Sequence, residues 1–351
     1  MEHSANLPLS FSATPELPVQ KKAKWYEDPN IAEDTTHWKP KSELWFWASV
    51  LSIVTALIVN IAVPFVEKVK PQPYRVVLIS FIAVLIVLYI IGLQNPNFRK
   101  KLYHRSQFIF GAGMVLAFYD LITAKSGLLQ MPYFPSVGEI ISVMFDDRGL
   151  LGQSTLYSMR LFFSGMVTGT TLGLATGILI GWWRQWDYWL SPVIRVTGII
   201  PAVAWLPVAL VILPTSFTTG VFLIFISSWF PVSSMMAAGI IATPKSYFEA
   251  AKTLGADNKF LLFKIAVPHA LPSMFIGINT ATAFSFTTLI VSEMVGAKAG
   301  LGFYINWAKG WGAYSKVYGA IIIIAVEFSL ILMLIGMVRN RVLRWQKGIL
   351  K

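Results

Sequence analysis

Apolar residues run along this chain in blocks of about twenty, separated by short polar stretches. A helix needs roughly 20 such residues to cross a hydrocarbon core about 30 Å thick. Eight blocks qualify: 44–66, 76–93, 106–123, 161–183, 193–213, 218–242, 273–294 and 317–338. Only helices and closed barrels satisfy their own backbone in lipid, and continuous runs select helices. The pattern therefore predicts an all-α, polytopic membrane helix bundle with about eight transmembrane helices. The third block is short and carries Asp120, while the fifth holds Arg195, Pro201 and Pro207. That composition predicts a fifth helix that begins near the membrane surface and is broken or kinked.

Composition sharpens the class: 55% of residues are hydrophobic and 13% charged, where a soluble domain carries about 25% charge. Placing both termini in the cytoplasm puts 20 of the 29 Lys and Arg on that side, in 1–43, 94–105, 184–195, 243–272 and 339–351. The positive-inside bias favours that orientation, although Lys298, Lys309 and Lys316 in the 295–316 loop run against it. The net charge of +12 then reflects topology and anionic-lipid contact, not nucleic-acid binding. The absence of cysteine excludes disulfides and thiolate metal sites, and the four histidines do not cluster, so no metal site is expected. Residues 1–43 lack the early apolar core of a cleaved signal, so the first block is read as an uncleaved anchor.

Three regions follow. Residues 1–43 form a polar N-terminal tail whose basic-aromatic patch, "KKAKWYEDPN" at 21–30, suits either headgroup contact or a docking partner. Residues 44–105 hold two helices and a basic loop. Residues 106–351 change character, with glycine-rich, proline-punctuated blocks. In one of them Gly165, Gly169, Gly173, Gly177 and Gly181 recur every fourth residue. Such a stripe lets a second helix approach closely in lipid, as intrachain packing, a dimer seam or a moving contact.

Between the sixth and seventh blocks lies "TPKSYFEAAKTLGADNKFLLFKIAVPHALP". Thr243 is placed to cap a short helix with Pro244 at its first position, and Gly255 to end it in a left-handed turn. Asp257 is placed to cap a second helix, which Pro268 would terminate. Phe248 and Ala251 share one face of the first helix. A small amphipathic pair of this kind either lies passively in headgroups or serves as a handle gripped from the cytosol.

A resemblance favours the handle. Glu249, Ala250 and Ala251, then three residues, Gly255, nine residues, Ile265, one residue, and Val267 with Pro268 resemble the EAA loop of ABC-importer permeases, with valine where the pattern has leucine. The stretches "PSVGEIISVMFD", "IIPAVAWLPVAL", "VSEMVGAKAGLGFYI" and "VRNRVLRWQK" are similar to the nitrate, sulfonate, taurine and bicarbonate branch of those permeases. The resemblance covers about residue 106 to the C-terminus and implies a six-helix permease core with coupling helices at 244–268. It implies a multi-pass protein of the bacterial inner membrane, paired with a second permease subunit in a homodimer and served by an extracytoplasmic solute-binding protein. Cytoplasmic ABC ATPase subunits, which hold ATP and Mg, would dock on Glu249, Ala250, Ala251, Gly255, Ile265 and Pro268. This chain has no GxxxxGK[ST] phosphate loop, so no enzyme activity and no bound cofactor of its own are expected.

Candidate pathway residues are polar groups inside the blocks: Trp205, Ser227, Ser228, Asn279, Ser285, Thr287, Thr288, Glu293 and Glu327. Intramembrane carboxylates are costly and attract functional hypotheses, but a structural bond for Glu293 and Glu327, and self-capping for the hydroxyls, remain open. An anion pathway would use neutral donors, and Trp205 lies between two prolines that free backbone groups. The expected cargo is a small polar solute, with an oxyanion or sulfonate first. The alternatives are a neutral heterocycle such as a vitamin precursor, or a secondary carrier or channel, which would show inverted repeats.

Overall fold

The computed structural model describes residues 43–65, 72–129 and 131–345. The patch at 21–30, with the rest of the tail to residue 42, lies outside them. In chain order the helices are α1 (Glu43–Ala62), α2 (Gln72–Gln94), α3 (Pro96–Asp120, continued by a π-helical turn to Lys125), α4 (Val137–Asp146), α5 (Arg148–Trp182), α6 (Arg184–Ile199), α7 (Leu206–Ile212), α8 (Ser216–Ile241), α9 (Lys245–Thr253), α10 (Asn258–Gly296), α11 (Leu301–Gly310) and α12 (Tyr314–Val342). Among the described residues no strand occurs, and seven helices are long and apolar enough to cross a membrane: α1, α2, α3, α5, α8, α10 and α12. The expected all-α bundle is present.

The fifth expected span is not a single helix. α6 and α7 meet at 92°, so this passage is a bent pair, and counting it gives up to eight crossings. The residue before a proline is pushed out of the helical region; accordingly Ile200 is extended, with φ −86° and ψ 116°. Pro201 and a 3-10 turn at Ala202–Trp205 then redirect the chain, and Pro207 sits in the first turn of α7, where no donor is missed. The third span is also longer than expected, because the basic residues 99–105 continue its helix.

The chain divides into two compact units, Met1–Val54 with Ile82–Met114 and Thr55–Phe81 with Val115–Lys351. In the first, Phe46 stacks on Tyr89 with ring centroids 4.9 Å apart, and the Tyr89 hydroxyl donates to Glu43 at 2.6 Å. In the second, Asn60 near the end of α1 is a buried polar hub. Its amide donates to Asp120 at 3.0 Å, its side-chain oxygen accepts from Arg75 at 3.0 Å, and its carbonyl accepts from Lys125 at 3.0 Å. Two cations thus gather at the C-terminal end of α1, where the helix dipole favours them, and Asp120 balances them. Asp120→Ala is expected to cost about 3–5 kcal/mol, the usual consequence of breaking a buried charged network. Thermal unfolding of the detergent-solubilised chain checks it, with Asp120→Asn expected to recover part of the loss.

The body of the second unit is organised by the seam between α5 and α8. A side chain at Gly165, Gly173, Gly177 or Gly181 would place its Cβ 2.5, 2.9, 2.7 or 2.8 Å from Ile224, Val232, Met236 or Ile240, and Ser228 lies over Gly169 in the same way. Both rows repeat every fourth residue, so one ridge of α8 fills one groove of α5. The glycine stripe is thus used for packing within the chain. Leu161, Phe162, Ile224, Phe286, Leu289 and Ile331 close the core where α5, α8, α10 and α12 meet.

Candidate functional site

The segment after α8 is largely exposed. α9 starts one residue later than the sequence suggests: Pro244 is the cap, with φ −60° and ψ 136°. Thr243 is buried and turns its hydroxyl toward the Gly239 carbonyl and His269 Nδ1 instead. Gly255 stands at φ +83°, the left-handed conformation expected of it, and its N–H donates to the Lys252 carbonyl at 2.9 Å. Asp257 accepts from the Phe260 N–H at 2.9 Å, the expected cap.

Pro268 does not end the second helix, contrary to expectation. Residues Leu261–Ala266 form a π-helical segment, closed by the Val267 N–H donating to the Leu262 carbonyl, and the α-helix then continues to Gly296. Proline lacks a donor and its ring crowds the carbonyl four residues earlier. The wider turn ahead of it makes room. The result is one helix of 39 residues, Asn258–Gly296, joining the predicted handle to a membrane span.

No residue of α9 is buried. Glu249, Ala250 and Gly255 are exposed, Ala251, Ile265 and Pro268 half-buried. Leu254 is 88% and Phe263 59% exposed, a large apolar surface for an isolated chain. On the inner side Phe248 meets Trp182 with ring centroids 5.8 Å apart and packs on the cluster of Met236, Leu262, Ala266 and Ala270. The handle is therefore braced against α5, α8 and α10 while its other face is free.

A second feature is a cavity of about 430 Å3 at the break between α6 and α7. It is lined by Thr197 and residues 198–203 at the break, by Ser227 and Phe230 of α8, and by Phe284, Thr287 and Thr288 of α10. None of these lining side chains is charged. The Ser227 hydroxyl donates to the Ile224 carbonyl at 2.9 Å and pairs with Ser285 at 3.2 Å. Thr287 donates to the Ala283 carbonyl at 3.3 Å. Thr288 is buried and also lines the cavity.

The other pathway candidates lie elsewhere. Ser228 is fully buried in the glycine seam and donates to the Ile224 carbonyl at 2.9 Å. Trp205 packs with Leu206, Ala209 and Leu223, and among the described residues its indole N–H has no partner. Asn279 is half-buried on α10. Glu293 is fully buried: the Ser158 hydroxyl reaches its two oxygens at 2.7 and 3.0 Å, and the Gly302 N–H donates to it at 2.8 Å. Glu327 is buried on α12 facing Thr155, with no hydrogen-bond partner of good geometry for either oxygen among the described residues.

Sequence reasoning did not single out Ser158, Phe230 or the bracket at Asp147. Asp147 accepts from the Lys316 ammonium and the Tyr304 hydroxyl, both at 2.6 Å. Partial burial pushes its carboxyl up, but those two bonds outweigh burial and hold it below the usual carboxylate value. Nothing in the local sequence of Ser158 or Asp147 marks them, because their partners lie more than 130 residues away.

The pattern of the family described as binding-protein-dependent transport system inner membrane component matches residues 169–346, from the glycine stripe through the handle to α12. The chain belongs to that family. This permease is 30% identical over 231 residues to the bicarbonate transport system permease protein CmpB of Synechocystis sp., covering 63% of this chain and 80% of the relative. It is 28% identical over 265 residues to the nitrate import permease protein NrtB of Synechococcus elongatus, covering 72% and 90%. Among solved structures, the MetNI methionine ABC transporter in inward-facing conformations overlaps 56% of this permease and 98% of that chain, with a TM-score of 0.49 and 20% identity. As an ABC-importer permease it is a multi-span inner-membrane protein, and the family implies ATPase and binding-protein partners.

Proposed function

We propose that this permease forms the translocation pathway for a small oxyanion or sulfonate, of the nitrate, bicarbonate, taurine or alkanesulfonate type. The observation that carries the reading is the uncharged cavity at the helix break, which Thr197, Ser227, Thr287 and Thr288 line with hydroxyl residues and no carboxylate to repel an anion. The names of the bicarbonate and nitrate relatives support it. In this reading two copies pair, both termini face the cytoplasm, and cytoplasmic ATPase subunits holding ATP and Mg grip α9 and the start of α10 through Glu249, Ala250, Ala251 and Gly255. An extracytoplasmic binding protein delivers the solute, and Trp205 and Asn279 border the route.

One observation favours a second reading: Phe230 and Phe284 in the same wall suit stacking on a neutral heterocycle. Uptake into proteoliposomes holding the permease, ATPase and binding protein separates the two. Labelled bicarbonate, nitrate or taurine should accumulate only with ATP inside the assembly's reach, and unlabelled heterocycles should not compete; competition by heterocycles alone overturns the oxyanion assignment. Thr288→Val keeps the volume and deletes one hydroxyl. Its expected effect is about a tenfold loss of uptake, the worth of one hydrogen bond, with ATPase association unchanged.

A further inference from the structure

Two acids hold α11, Glu293 of α10 and Asp147 at the start of α5, and the Asn306 amide of α11 also donates to the Met294 carbonyl of α10 at 2.9 Å. The first two residues of α11, Leu301 and Gly302, carry amides that no earlier turn can satisfy. The Ser158 hydroxyl of α5 accepts from Leu301 at 2.9 Å and donates to Glu293 of α10, which accepts from Gly302. Gly300, at φ +107°, presses so closely on that carboxylate that no side chain would fit. The second bracket, Asp147 with Tyr304 and Lys316, ties α11 to the start of α5 and to α12, and does not involve α10.

The two brackets differ in what would move them. Glu293 stands 35 residues beyond Asn258 on one continuous helix, about 50 Å at the usual rise. The π-helical segment, Pro268 and Pro272 are gathered at the handle end, and beyond them the helix is unbroken. A hydrogen bond tolerates only a few tenths of an ångström. An axial shift of α10 by about 1 Å therefore breaks the Gly302 and Asn306 bonds to α10 while the Asp147 bracket keeps α11 with α5 and α12.

We propose that Glu293, with Ser158, is a positioning residue forming a releasable clasp on α11, and that displacement of the handle by the ATPase opens and closes it. The proposal rests on the docking of the ATPase at α9 and the start of α10. A rigid α10 makes the far end of the span report the state of the near end without any ligand at Glu293.

Amide exchange of the assembled transporter tests this, comparing the nucleotide-free state with the state trapped by a non-hydrolysable ATP analogue. Exchange at residues 301 and 302 is expected to change about fivefold or more, the worth of one hydrogen bond, while Tyr304 stays constant. Nucleotide-dependent change in 249–266 with exchange at 301 and 302 within twofold overturns the clasp and leaves the docking reading intact. No change in either region overturns the docking reading, and the clasp with it. Glu293→Leu removes both acceptor oxygens at similar bulk: fast exchange at 302 in both states, with more ATP hydrolysed per solute moved, is expected, and Glu293→Gln, which keeps one acceptor oxygen, is expected to restore much of the protection. A variant with wild-type exchange and an unchanged ratio contradicts the clasp.

Discussion

Gly177→Leu is expected to destabilise the permease more than any single change on the surface of α5. Even a Cβ at Gly177 would stand 2.7 Å from both the Met236 Cβ and the Ser233 carbonyl oxygen, and both belong to a helix that cannot yield locally. The seam has to separate, exposing the fit along the whole ridge from Ile224 to Ile240. Overpacking of a tight core costs about 1–3 kcal/mol and more where backbone is the obstacle; a double change at Gly173 and Gly177 should prevent recovery of folded protein. Gly152→Ala is the control. Gly152 is on the same helix but has nothing within 4 Å, so a change of about 0.5 kcal/mol or less is expected. Thermal unfolding in detergent, read from tryptophan fluorescence, distinguishes the two.

The second large effect is conformational rather than steric. A Cβ at Gly255 would meet nothing within 4 Å, yet the residue stands at φ +83°, where a β-branched side chain is a severe outlier. Gly255→Val should re-aim α9 against α10 and lower ATP-driven uptake by tenfold or more. The membrane core should barely change, since the strain of one left-handed residue is about 1–2 kcal/mol. Asn tolerates this conformation, so Gly255→Asn should restore most of the uptake. Equal losses for Val and Asn would mean that the hinge angle is not what matters there.

Legibility followed the range of the forces involved. Block length is a local property, and all seven long helices appear where the apolar blocks lie. The glycine stripe was readable as a groove, but which helix fills it depends on a register set by Ile224, Val232, Met236 and Ile240, some sixty residues on. Proline signals were read with mixed success. Pro201 marked a break, and the chain does bend there, whereas Pro268 looked like a stop and is accommodated by a π-helical segment whose existence no local residue announces. The cap at Asp257 and the left-handed Gly255 are contacts over three residues and were legible. The Glu293–Ser158 bond spans 135 residues, and only the topology brings it together.

The most direct test of the account is whether the handle holds the motor. The permease carries no cysteine, so a single photo-reactive label can be placed at Leu254→Cys, on the exposed end of α9, and the protein purified with an affinity tag from cells expressing its partners. The account predicts that an ATPase subunit co-purifies, cross-links at position 254, and is lost when Glu249→Arg is added while the chain remains folded. Recovery of the ATPase unchanged with Glu249→Arg, or cross-linking only to lipid, would contradict the assignment of residues 244–268 as the coupling site.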